Sequence, residues 1–177
     1  MADYKIEYIK KIAKYYKVDV INAHDDYGTN DGMFMSPDTW RELIKPELKR
    51  IVDACHECGV IYQHHSCGYI EPIVPDFVEI GVDAVDTFQA SCNPNVKALK
   101  EQYGDRLTFC GGFDNMNVLD RPDVTKEETQ AEYERVINDL APGGSYVIYP
   151  IGIAFGFIGD FLEKHFQMGM TFYQNQK

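Results

Sequence analysis

Apolar positions along this chain alternate between a helical period and short continuous runs. Over residues 4–16, Tyr4, Ile6, Ile9, Ile12, Ala13 and Tyr16 recur at helical spacing. Val18-Asp19-Val20-Ile21 predicts a short strand, and the polar stretch from His24 to Asp31 predicts a loop. Ser36 is a helix N-cap with Pro37 in the first turn. The stripe Trp40, Leu43, Ile44, Leu48, Ile51, Val52, Cys55 carries that helix on to Gly59, a left-handed stop. Pro46 falls inside the stripe and predicts a kink or a split there, because proline lacks the N–H the helix needs.

The alternation then continues. Val60 to His64 predicts a second strand, about Ile73 to Ile80 a helix ending at Gly81, and Val82 to Phe88 a third strand. Pro94 opens a helix running to Tyr103 and stopping at Gly104, and Arg106 to Cys110 predicts a fourth strand. Thr125 with Glu128 forms a capping box for a helix through Leu140. Pro142-Gly143-Gly144 turns the chain into a fifth strand, Ser145 to Tyr149, and residues 157–172 predict a last, Phe-rich helix. Strands alternating with helices imply a parallel sheet with helical crossovers. Periodicity alone leaves open a doubly wound sheet and part of a (β/α)8 barrel.

Composition narrows the class. The chain has 177 residues, fitting one domain over 1–177 that can bury a sizeable core. Its 28 acidic residues against 17 basic ones give a formal net charge of −11, which argues against nucleic acid and anionic membranes as partners. No apolar run reaches bilayer length, and Met1-Ala2-Asp3-Tyr4-Lys5 lacks a signal-peptide pattern. A cytoplasmic location with five reduced cysteines is the expectation.

Polar residues gather just after the strands. His24, Asp25 and Asp26 follow the first; His64, His65 and Cys67 follow the second. Asp86 and Gln89 end the third; Cys110, Asp114 and Asn115 end the fourth. In parallel α/β folds this is the end where ligands bind. His65 and Cys67, two apart on an extended segment, point to one side and offer the two donors zinc prefers. Catalytic zinc usually has three protein ligands, and Cys92, Cys110, Asp26 and Asp86 are the candidates for the third. Asp25-Asp26 fits an acid/base pair, a metal ligand, a contact to a positive substrate, or a loop cap. Cys55-His56-Glu57-Cys58 sits in the last turn of a helix, on the side away from the proposed mouth, and reads as core packing. Gly111-Gly112 allows close backbone approach, and Asp114 behind it is either a site carboxylate or a turn residue. The Gly152 to Gly156 segment offers a backbone anion nest but no phosphate-loop pattern.

At these residues the chain resembles the uroporphyrinogen decarboxylase superfamily, which includes the decarboxylase and the zinc-dependent methylcobalamin:coenzyme M methyltransferases. The markers are Asp25-Asp26-Tyr27-Gly28, Met35-Ser36-Pro37 with Lys45-Pro46, His65-Ser66-Cys67-Gly68, Gly81-Val82-Asp83-Ala84, and Phe109 through Gly111-Gly112-Phe113-Asp114. The resemblance implies a (β/α)8 barrel of which this chain carries about the last five βα units, with the N-terminal arginine-bearing part having no counterpart. It implies His65 and Cys67 as zinc ligands, and Ile151 stands where the methyltransferases place a third, cysteine ligand. Asp26, Asp86 and Asp114 are expected to carry catalytic roles; Asp25, His64, Gln89 and Asn115 are expected to contact substrate. The activity implied is methyl transfer from a corrinoid to a thiol or related acceptor. The alternatives are tetrapyrrole side-chain decarboxylation and a degenerate half-barrel binding a corrinoid or a partner chain. A small molecule or a corrinoid protein is the implied substrate. Unpaired sheet edges predict a homo-oligomer, a complementary N-terminal half-barrel chain, or truncation.

Overall fold

The computed structural model describes residues 1–149. Helix α1 (Ala2–Tyr15) leads into strand β1 (Val20–His24), followed by α2 (Pro37–Leu43) and α3 (Lys45–Glu57). Strand β2 (Ile61–His65), α4 (Val74–Ile80), β3 (Ala84–Thr87), α5 (Val96–Tyr103) and β4 (Thr108–Gly111) come next. Helix α6 (Lys126–Leu140) and the short β5 (Tyr146–Val147) complete the described chain. The five strands form one sheet in sequence order, every pairing parallel. Helix α1 packs on α3, and from α2 onward each helix packs on the next. This is the α/β architecture expected of part of a (β/α)8 barrel.

Local signals explain the element ends. The Ser36 hydroxyl accepts from Thr39 N–H at 3.1 Å, and the Thr125–Glu128 capping box closes reciprocally. The long helix expected over Ser36 to Gly59 divides at Ile44, just before Pro46, into α2 and α3. Gly59 and Gly81 take positive φ after α3 and α4. Two differences are systematic. Strand β1 begins at Val20, not Val18, and β1 and β2 run past their expected ends to the polar residues His24 and His65. The reason is lateral: hydrogen bonding to the neighbouring strand, not apolarity, decides where a ladder ends. A 3-10 turn over Glu71–Ile73 and a π-helical turn over Asn115–Leu119 carry no periodic signal and were not expected. Ile151, the Gly152 to Gly156 segment and the helix expected over 157–172 lie outside the described residues.

The core lies between the sheet's outer face and the helices. Tyr62, Trp40, Phe77, Val85 and Phe109 are fully buried there. Burying one such side chain stabilises by roughly 1.5–3 kcal/mol. Cys55 is part of this core, as its place in the helical stripe implied, and burial pushes its thiol up to about 12. The opposite face of the sheet is more open: Val20 and Ile61 remain 45% and 47% exposed.

Candidate metal centre

Strict alternation along β2 decides which side chains reach the open face. Tyr62, His64 and Ser66 are buried among the helices, while Gln63, His65 and Cys67 point the other way. Lateral register then aligns partners: His24, His65, Asp86 and Cys110 form one row across four strands. Neighbours in such a row share a face, so two imidazoles, a carboxylate and a thiol lie side by side at the C-terminal end of the sheet.

The row is organised around the His65 ring. Nδ1–H donates to Asp86 Oδ1 at 2.5 Å. Nε2 faces the Cys67 sulfur at 3.4 Å and Asp26 Oδ1 at 3.7 Å. Asp26 also accepts from the Cys67 backbone N–H at 2.8 Å. One donor atom each from Asp26, His65 and Cys67 therefore lies within 4.8 Å of the others, an arrangement with the reach to hold a metal ion. Asp86 is fully buried and also accepts from Asn22 at 3.0 Å and Gln63 at 2.5 Å. With Nδ1 occupied, the histidine is left with Nε2 to offer a metal, the usual second-layer device at metal sites.

The electrostatics follow from these contacts. Burial alone would raise the Asp86 carboxyl, but hydrogen bonds from His65, Gln63 and Asn22, with the His65 charge, outweigh it and hold it low. The Asp86 hydrogen bond raises His65, and the charges of Asp86 and Asp26 add to it against the opposing effect of burial. Burial raises the Cys67 thiol, and the nearby Asp26 and Asp86 charges raise it further. A divalent cation at Nε2 would reverse the sign of the field at that sulfur.

Backbone approach brings Asp26 to this point. The loops after β1 and β2 cross at Gly28 and Gly68, where a Cβ on Gly28 would lie 2.5 Å from Tyr69 N. Tyr27 N–H donates to the buried Ser66 hydroxyl at 2.9 Å, fastening the first loop onto the second.

The other expected site residues are placed elsewhere. His64, expected at the substrate, is wholly buried, stacked on Tyr27 and hydrogen-bonded to the Tyr62 hydroxyl at 3.1 Å. One residue of offset on a strand reverses the face, so His64 belongs to the core. Asp25 is half-buried, pairs with Lys5 of α1 and, together with Asp26, borders a cavity of about 530 Å³ lined by α1, the end of α2, α3 and the segment after β1. Asp114 caps the π-helical turn, accepting from Asn117 N–H at 3.0 Å, as a turn residue would. The Gln89 carbonyl accepts from Cys92 and Asn93 N–H, both at 3.0 Å, and so closes the turn after β3. Asn115 lies within the π-helical turn. Of the four candidate third donors, Asp26 meets His65 and Cys67, Asp86 is engaged with Nδ1, and Cys92 and Cys110 are buried outside the group. Three residues of the open face were given no site role from the sequence: His24, named only as a polar strand-end residue, and Asn22 and Gln63. Counting back by twos from Asp26 and His65 would have found them.

Comparison with known proteins agrees with this architecture. Residues 1–152 match the family model described as uroporphyrinogen decarboxylase (URO-D). Among solved structures, a methyltransferase from Methanosarcina mazei superposes with a TM-score of 0.71 at 20% sequence identity. The match covers 97% of this chain and 47% of that one, so this chain spans about half the length of its structural neighbour. No protein of curated function matches the sequence significantly.

Proposed function

This chain belongs to the uroporphyrinogen decarboxylase family, and on that footing we propose that it serves methyl transfer from a corrinoid to a thiol or related acceptor, with zinc held by Asp26, His65 and Cys67. The observation that carries the reading is the convergence of imidazole, thiol and carboxylate donors on one point, with Asp86 fixing the far side of the imidazole. Zinc, when bound, supplies the charge that turns an acceptor thiol into its thiolate near neutral pH.

The chain's own residues do the rest. Asp86 keeps the proton on His65 Nδ1, leaving Nε2 free as a donor. Asp26 holds the Cys67 main chain and keeps a half-exposed carboxylate beside His65 Nε2. In the transfer the acceptor sulfur forms the S–C bond as the cobalt–carbon bond breaks. The bonding pair stays on cobalt, and the thiol proton leaves to solvent. Reduced cysteines suit a cytoplasmic setting, and no described helix is long and apolar enough to cross a membrane.

Tetrapyrrole decarboxylation fits less well. It needs cations for the substrate carboxylates, whereas the groups around His65 are Asp26 and Asp86, and Lys5 is paired with Asp25. Because the chain spans half of its structural neighbour, we include a second chain in the proposal, either another copy or a complementary half-barrel.

The test is the zinc content of purified protein and of His65→Ala, followed by methyl transfer from methylcobalamin to a thiol. Near-stoichiometric zinc lost in the variant is expected. Sub-stoichiometric zinc in the wild type would sink the proposal, as would turnover of a porphyrinogen without methyl transfer.

A further inference from the structure

His24 stands among the polar residues that follow the first strand, and nothing above gives it a role. It ends the edge strand β1 and lies in register with His65 on β2. Its ring stacks on the His65 ring with centroids 4.3 Å apart and planes 22° from parallel. The residue is exposed, and no hydrogen bond engages its side chain among the described residues. It stands outside the group of donor atoms formed by Asp26, His65 and Cys67. An exposed side chain with this one ring contact contributes little to the fold. What it contacts, however, is the ring that orients the candidate metal centre.

We propose that His24 is a positioning residue for His65, locking the plane of the ring so that Nε2 meets Asp26 and Cys67. The reason is geometric. The hydrogen bond from Nδ1 to Asp86 fixes one edge of the imidazole but leaves it free to tilt about that bond. The donors Nε2 must meet lie on the far edge, where a small tilt moves it most. A flat ring against the face removes that freedom, and stacked aromatic rings favour this near-parallel contact. Asp86 and His24 thus restrain the ring in two independent directions, one in its plane and one across it. Parallel register makes this possible, because residues paired across adjacent strands hold their side chains on the same face at stacking distance.

The functional meaning of this lock rests on the metal reading; the lock itself rests on the contact alone. The two are separated by measuring both in the same variants. In metal-free protein, NMR follows the downfield proton on His65 Nδ1. His24→Ala should broaden or abolish that resonance while leaving thermal unfolding unchanged, and His24→Phe, which keeps a flat ring, should retain it. In the cobalt arm, Co²⁺ affinity should fall about tenfold in His24→Ala and recover in His24→Phe, the size expected for loss of an outer partner. An unchanged resonance in His24→Ala, or a loss that His24→Phe fails to restore, overturns the proposal. Absence of cobalt binding by the wild type overturns the metal reading instead, and the resonance still decides the role of His24.

Discussion

Asp86 and His65, twenty-one residues apart, face each other in register on adjacent parallel strands and share a 2.5 Å hydrogen bond between Oδ1 and Nδ1–H. The bond fixes which nitrogen of His65 is left for a ligand, so it governs the donor set without joining it. Asp86→Asn keeps the shape and weakens the acceptor. Metal affinity, read by competition with a chelating dye, should fall roughly 10–100-fold. An unchanged affinity would mean that Asp86 does not orient the ring.

The third donor is separable from the spare cysteines. Asp26→Ala should lower zinc affinity by more than the roughly 10–100-fold that loss of an outer partner costs. Cys92→Ala and Cys110→Ala should leave zinc binding unchanged, because both thiols are buried outside the donor group and burial pushes that of Cys110 up to about 12. Zinc loss in either cysteine variant, with Asp26→Ala unaffected, would transfer the role.

His64 predicts an acid-sensitive core. Burial pushes its imidazole down to about 4, against an ordinary value near 6.5, with the Asp25 charge opposing. Between those values the unfolded chain binds the proton and the folded chain does not. Stability is therefore whole above about pH 6.5 and declines as pH falls toward 4, by on the order of 3 kcal/mol. His64→Phe should flatten that part of the pH–stability curve in urea titrations and leave metal binding intact. A variant with the wild-type slope would place the titration elsewhere.

The open sheet predicts association. Strands β1 and β5 each pair with a single described strand, and Val20 and Ile61 stand exposed on the face away from the helices. Sizing chromatography with light scattering should show a dimer or larger species, or a complex with a complementary half-barrel chain when one is supplied. A stable monomer under both conditions would contradict this.

Much of the fold was legible because helices and caps are written locally. Ser36, Thr125 with Glu128, Pro46, Gly59 and Gly81 each act within a few residues, and all five strands were found by their apolar runs. The strand ends were misjudged wherever a polar residue continued a ladder, as His24 and His65 do. The site was legible in part for the same reason. His65 and Cys67 share a face by alternation alone, but His64 beside them was read as a site residue because two adjacent histidines look alike in a sequence. Only the register with neighbouring strands says which of them faces the helices.

The amino-acid sequence by itself determined the βα alternation, the end of the sheet where chemistry gathers, and the His65-Cys67 pair. Tertiary structure decided that Asp26 faces that pair, that Asp86 holds Nδ1, and that His24 covers the ring. The physical reason is that each of these contacts joins residues from different strands or loops. Lateral hydrogen bonding between strands sets that alignment, as does the close crossing of the loops at Gly28 and Gly68. Neither is encoded in the spacing of any one segment.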